Sequence, residues 1–278
     1  MSEQFHVDRY PFYGVAQAIK RLLPSNTHLA FRSAYRAYLR AYNQVPSLSV
    51  LTSPPRLPGI DGWARVKLAY QLDRIRRHVL CPHSDQEILR FFELTLAIPK
   101  DTPGCLVEAG CFKGGSSAKL SLLAEITGRQ LHVFDSFEGL PPNSEPHAEG
   151  LFGANLQNEF RGGAYCGALE EVRHNIQTYG APAPCHYHKG WFDDTMPGFK
   201  EPIIGAFVDV DLVASTRTCL EHLYPLLVPG GFLLSQDGHV PLVVALLESR
   251  DFWRESLGCE PPPMQGLRTS KIVVIQKP

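Results

Sequence analysis

Apolar residues along the chain follow two alternating rhythms. Short apolar runs at Cys105–Glu108, Gln130–Asp135, Cys185–His188, Pro202–Asp209, Gly231–Ser235 and Lys271–Gln276 predict buried strands. Between them, apolar residues recur every three or four positions, which predicts helices. These cover Trp63–Val79, a segment from Ser84 to near Pro99, Ser116–Thr127, a segment marked by Leu169, Val172, Ile176 and Tyr179, Ser215–Leu227, and Val240–Ser249. Ser84 and Glu87 have the S-x-x-E spacing of a capping box. Strand–helix alternation implies a parallel sheet covered on both faces, a doubly wound, Rossmann-like α/β fold. In such sheets ligands bind beyond the carboxyl ends of the strands.

The first 60 residues read differently. Ala34, Tyr35, Tyr38, Leu39 and Tyr42 keep a helical period, and Pro54, Pro55, Pro58 and Gly59 then break any regular element. This predicts a helical N-terminal extension over 1–60, with the main domain over 61–278. The extension's tyrosines are expected to pack on the main domain, with a homodimer contact as the alternative.

Composition narrows the function. With 27 Lys and Arg against 28 Asp and Glu, the chain lacks the broad basic field of a general nucleic-acid binder. No apolar run reaches the ~18 residues that span a bilayer, so no membrane partner is expected. Glu3, His6, Asp8 and Arg9 interrupt the start, unlike a signal peptide. Seven cysteines, an odd number without C-x-x-C, fit free thiols and a reduced, cytoplasmic setting.

Candidate chemistry lies at the strand ends. Glu108 precedes a glycine-rich turn, Gly110 to Gly115, with the spacing G-x-x-x-G-G. That is not the G-x-G-x-x-G of dinucleotide binders, which argues against an NAD-dependent oxidoreductase. Asp135 ends the next strand, where an acid suits the two hydroxyls of a ribose. Phe137 is placed to stack on a base. His186 and His188 share a strand face, but the closed set of four ligands that a structural zinc takes is not apparent around them, so zinc is not expected there.

Six stretches in order carry a more specific signal: V-E-A-G-C-F-K-G-G-S-S, F-D-S-F-E-G-L-P, L-E-E-V-R-H-N-I-Q-T-Y-G, K-G-W-F-D-D-T-M-P, V-D-V-D-L-V-A-S-T and P-G-G-F-L-L-S-Q-D. Together, over about 105–240, they resemble the macrocin O-methyltransferase family, which includes the mycinamicin and novobiocin sugar O-methyltransferases. The resemblance implies a class I S-adenosylmethionine-dependent methyltransferase fold. It also implies Mg²⁺-assisted O-methylation of a small-molecule acceptor, typically on a sugar hydroxyl.

Residue by residue, the resemblance assigns Glu108, Gly110, Gly114, Gly115 and Ser116 to the methionine side of the cofactor. Asp135 and Ser136 match the ribose and adenosine contacts, and Gly190, Trp191 and Phe192 the border of the adenine. Asp209 matches the first metal ligand and suspected base. Two adjacent aspartates complete the family's metal set, and this chain has Gln236 and Asp237 there. Gln can ligate but carries no charge, so weaker metal binding is expected. His239 is a further candidate as general base, acceptor-orienting group or ligand. Asp211 is expected to cap the helix near Ser215 rather than to bind metal. The Gly-rich segment 136–168 is a candidate lid. The loss of a carboxylate at Gln236 also motivates a rival reading, a non-catalytic binding protein on a degenerate methyltransferase fold.

Overall fold

The structure, a computed structural model, describes residues 57–278 together with Val50. The expectations for the extension fall almost wholly outside these residues.

Two helices come first, α1 (Gly62–His78) and α2 (Asp85–Ala97). Asp61 caps α1 by accepting the N–H of Ala64. The Ser84–Glu87 capping box forms as the spacing predicts: Ser84 N–H donates to Glu87 Oε2 at 2.8 Å, and Glu87 N–H to Ser84 Oγ at 3.4 Å. The alternating part then runs β1 (Cys105–Ala109), α3 (Gly115–Thr127), β2 (Leu131–Asp135), α4 (Leu169–Tyr179), β3 (Cys185–Lys189), α5 (Phe192–Thr195), β4 (Ile203–Val208) and α6 (Val213–Leu223). It ends with β5 (Leu227–Ser235), α7 (Pro241–Glu248), α8 (Arg250–Leu257), β6 (Met264–Gln265) and β7 (Val273–Gln276).

The strands form one sheet in the order β3-β2-β1-β4-β5-β7-β6. Pairings from β3 through β5 are all parallel. β7 pairs antiparallel with both β5 and β6, which corrects the expectation of a purely parallel sheet. The strand period of two divides the core. Leu106, Val133, Phe207 and Leu234 pack with α1 to α4 through Leu72, Ile75, Phe91, Leu120 and Val172. Val107, Phe134, Val208 and Leu233 pack on the other face with Leu220, Val243 and Trp253. Both faces are therefore covered, as near-continuous apolar strands require.

Two helix expectations are corrected. The helix expected over Ser215–Leu227 stops at Leu223, and residues 224–226 tighten into a 3₁₀ turn. Pro225 lacks the N–H that a helix interior needs. β5 then starts at Leu227, where it pairs with Ile203. After α7 the chain does not leave helix for long. Ser249 Oγ accepts the N–H of Phe252 at 3.2 Å and caps α8, which the sequence pattern did not reveal. No helix among the described residues is long and apolar enough to cross a membrane.

Candidate active site

The carboxyl ends of β1, β2 and β4 open onto one cavity of about 610 Å³, a volume within the usual range of small-molecule sites. Gly110, Asp135, Ser136, Gly190, Trp191, Phe192, Asp209 and His239 all line it. Residues far apart in sequence thus converge because parallel strands end on the same side.

Gly110 shows why glycine is needed at the first strand end. Its φ is +82°, and a Cβ there would stand 2.0 Å from the backbone oxygen of Asp209. β1 and β4 can approach this closely only without a side chain.

Asp135 is locked by the turns around it. Its Oδ2 accepts the N–H of Cys111 at 2.7 Å and its Oδ1 the N–H of Phe137 at 2.6 Å. A carboxylate has about four acceptor positions, so each oxygen keeps capacity for a ligand hydroxyl. Burial raises its pKa, and these amide bonds oppose the rise. Ser136 shapes the next turn by donating to Gly139 O at 2.9 Å and accepting from Glu138 N–H at 3.0 Å.

Several sequence-marked residues do not line the cavity. Glu108 is fully buried beside Ser116 and Ser117, and neither oxygen makes a well-formed hydrogen bond. Burial pushes its carboxyl up to about 8 against those serines, so it keeps its proton at neutral pH. Gly114 and Gly115 serve packing: a Cβ would stand 2.9 Å from Val172 or 2.6 Å from Cys81. Ser116 is buried at the start of α3. Phe137 is no base-stacking platform. It is 5% exposed and belongs to the core, whereas Phe112, Phe160, Tyr165, Trp191 and Phe192 are the aromatic residues that line the cavity.

The acids form a second centre. Asp209, Asp211 and Asp237 bring carboxylate oxygens within 4.8 Å of one another. Asp211 does not cap α6, whose N-cap is Leu212 and makes no side-chain capping hydrogen bond. It sits at φ +61°, a left-handed backbone that Asp tolerates better than most residues. The N–H groups of Val210 and Asp211 both donate to Asp237 Oδ2, at 3.2 and 3.1 Å. Asp237 Oδ1 is buried with no hydrogen-bond partner. Gln236 is fully buried, and neither end of its amide is hydrogen-bonded.

Crowded acids shift one another. Burial and the charge of Asp209 push Asp237 up to about 7. Burial with Asp237 and Asp209 pushes Asp211 well above the usual carboxylate range. Burial acts to raise Asp209 as well, but the His83 imidazole outweighs it and leaves this carboxyl below its ordinary value. His83 Nε2 lies 3.2 Å from Asp209 Oδ2. His239 is held at about 4 by burial and the Lys271 charge, so its ring is neutral at physiological pH. His83 and Lys271 were missed in the sequence. Both stand outside the strand-end motifs and reach the site only through the fold.

The family model for macrocin-O-methyltransferase (TylF) matches residues 92–257. The chain belongs to the macrocin O-methyltransferase family. It is similar to the family's 8-demethyl-8-(2,3-dimethoxy-alpha-L-rhamnosyl)-tetracenomycin-C 4'-O-methyltransferase of Streptomyces olivaceus, 36% identical over 49% of this chain and 53% of that protein. The mycinamicin III 3''-O-methyltransferase of Micromonospora griseorubida is 31% identical over 52% of this chain and 59% of that protein. These matches span only a little over half the length of the curated relatives. Among solved structures, the O-methyltransferase NovP aligns with a TM-score of 0.52 at 24% identity, over 75% of this chain and 80% of that one. The calicheamicin methyltransferase CalS11 aligns with a TM-score of 0.51 at 18% identity, over 85% of this chain and 91% of that one. Both likenesses show that this chain shares the fold of these two methyltransferases.

Proposed function

We propose that this chain is an S-adenosylmethionine-dependent O-methyltransferase that acts on a sugar hydroxyl of a glycosylated small molecule. The observation that carries the reading is that Asp135 and the Asp209 side of the acid cluster face the same cavity. One suits a ribose and the other an acceptor, within reach of a single bound donor. The relatives' names, which specify rhamnosyl and mycinamicin substrates, support the acceptor class.

S-adenosylmethionine, when bound, supplies an electrophilic methyl on a sulfonium. The free acceptor positions of Asp135 would hold the ribose hydroxyls, and Trp191 and Phe192 would border the adenine. The neutral imidazole of His239 would take the proton of the acceptor hydroxyl, whose oxygen would receive the methyl as its bond to the sulfonium sulfur breaks. His239 lines the cavity, and its Nδ1 is buried without a partner. Leu140, Leu156 and Phe160, from the segment 136–168, add apolar lining to the cavity that would suit the rest of the acceptor. Enclosure by that segment excludes water and aligns donor with acceptor.

The donor set fits a hard divalent cation such as Mg²⁺, which prefers carboxylate oxygens. Asp209, Asp211 and Asp237 would hold it, and the unpartnered Asp237 Oδ1 is the atom most in need of a cation. Such a cation would acidify a coordinated hydroxyl. Asp211 supplies the third carboxylate that Gln236 lacks, which removes the main ground for a non-catalytic reading. Incubating the protein with S-adenosylmethionine and deoxysugar-bearing acceptors tests the proposal. Mass spectrometry should locate one added methyl on a sugar oxygen, and methylation on nitrogen or carbon instead would sink it.

A further inference from the structure

The histidine pair of β3 meets a third histidine in the fold. His132 of β2 stacks on His186 and His188, with ring centroids 4.9 and 5.2 Å away. Its Nδ1 lies 2.9 Å from His188 Nε2. Its Nε2 points at Glu201 Oε2, 3.4 Å away, and makes no hydrogen bond although the residue is only 4% exposed. Cys105, the first residue of β1, completes the group. Its Sγ, a His132 ring nitrogen and a Glu201 oxygen lie within 4.8 Å of one another.

We propose that Cys105, His132 and Glu201 form a binding site for zinc or a similar borderline transition-metal ion, separate from the methyl-transfer cavity. Thiolate, imidazole and carboxylate are the donors such ions prefer, whereas Mg²⁺ takes oxygen alone. The spacing agrees. Zn–N and Zn–O bonds of about 2.1 Å at tetrahedral angles put the two donor atoms about 3.4 Å apart. The nitrogen and oxygen stand at 3.4 Å. When His132 Nδ1–H donates to His188, the Nε2 lone pair is left facing the carboxylate. A cation between them turns that repulsion into two bonds, and His188 fixes the ligating tautomer. The Cys105 thiol, which donates to Pro202 O at 3.3 Å, would release its proton to solvent as the metal–sulfur bond forms. Glu201 is the exposed member and gives the ion its entry, with water in the fourth position.

The place in the fold defines the role. Cys105 starts β1, His132 is the second residue of β2, and Glu201 lies two residues before β4. β1 lies between β2 and β4, so one ion would tie three neighbouring strands together. This is the amino end of the sheet, about 15 Å, a strand's length, from the cavity at the carboxyl end. The ion would act as a staple between strands, apart from the methyl-transfer cavity.

Titrating Co²⁺ into the metal-stripped full chain tests the site. We expect a thiolate-to-cobalt charge-transfer absorption that saturates at one equivalent, survives excess Mg²⁺ and disappears in Cys105→Ser. Glu201→Gln alters an exposed side chain and leaves the fold intact, and it should weaken cobalt binding at least tenfold. His188→Ala should weaken it roughly 10–100-fold, as loss of an orienting partner does. No thiolate band in the wild type, an unchanged band in Cys105→Ser, or unchanged affinity in Glu201→Gln would each overturn the proposal.

Discussion

Glu145 closes the start of α6 from a distant loop: its carboxylate accepts the N–H of Val213 at 2.9 Å and that of Ala214 at 3.0 Å. These N–H groups have no partner within the helix, and the helix dipole favours a negative charge there. Glu145 belongs to the segment that walls the cavity, so one interaction couples that wall to the helix that follows Asp211. Glu145→Ala should cost about 1 kcal/mol of stability, as loss of an N-cap does. It should also raise the acceptor KM more than it lowers kcat. Equal stability of the two proteins in urea would show that the cap is not formed.

Much of the site was legible because it sits at the ends of strands. The apolar runs placed β1, β2 and β4, and each run stopped at a residue that lines the cavity or borders it. Three-dimensional neighbours were not legible. Asp211 was read from its local sequence as a helix cap, but the amides around it turn toward Asp237. Phe137 was read as a ring that stacks on a base, yet it lies at φ +58° with its side chain in the core. Lys119 lies inside an apolar helix, and nothing near it in sequence reveals its partner Asp85, 34 positions away. The helix Arg250–Leu257 escaped because two turns carry too little periodicity.

That Lys119–Asp85 pair is almost wholly buried at 2.7 Å. Removing one partner leaves an uncompensated charge, so Lys119→Met should destabilise the protein by about 3–5 kcal/mol. Replacing both partners with apolar residues should recover most of the loss. Chemical denaturation of the single and double variants checks this, and additive losses would contradict it.

Glu108 makes a prediction for stability against pH. Its folded pKa of about 8 lies above the ordinary 4.5. Between these values the folded chain keeps a proton that the unfolded chain has released. The contribution is therefore fully present below pH 4.5 and is lost as the pH rises through about 8. Glu108→Gln cannot ionise and should flatten this decline, by on the order of a few kcal/mol between about pH 5 and about pH 9. Parallel stability–pH curves for the two proteins would contradict it.

His239 is expected to accept the proton of the acceptor hydroxyl. His239→Gln should lower kcat by about 10²–10⁴, the usual contribution of a general base, with unchanged affinity for S-adenosylmethionine. A kcat within twofold of the wild type would assign the proton to another group.

The central claim is that this cavity holds S-adenosylmethionine through the carboxylate of Asp135. Calorimetric titration with S-adenosylhomocysteine, on the wild type and on folded Asp135→Ala, tests it most directly. One equivalent should bind the wild type, and Asp135→Ala should bind at least tenfold more weakly, as loss of hydrogen bonds to a charged group implies. No binding heat from the folded wild type, or equal affinity in Asp135→Ala, would contradict it.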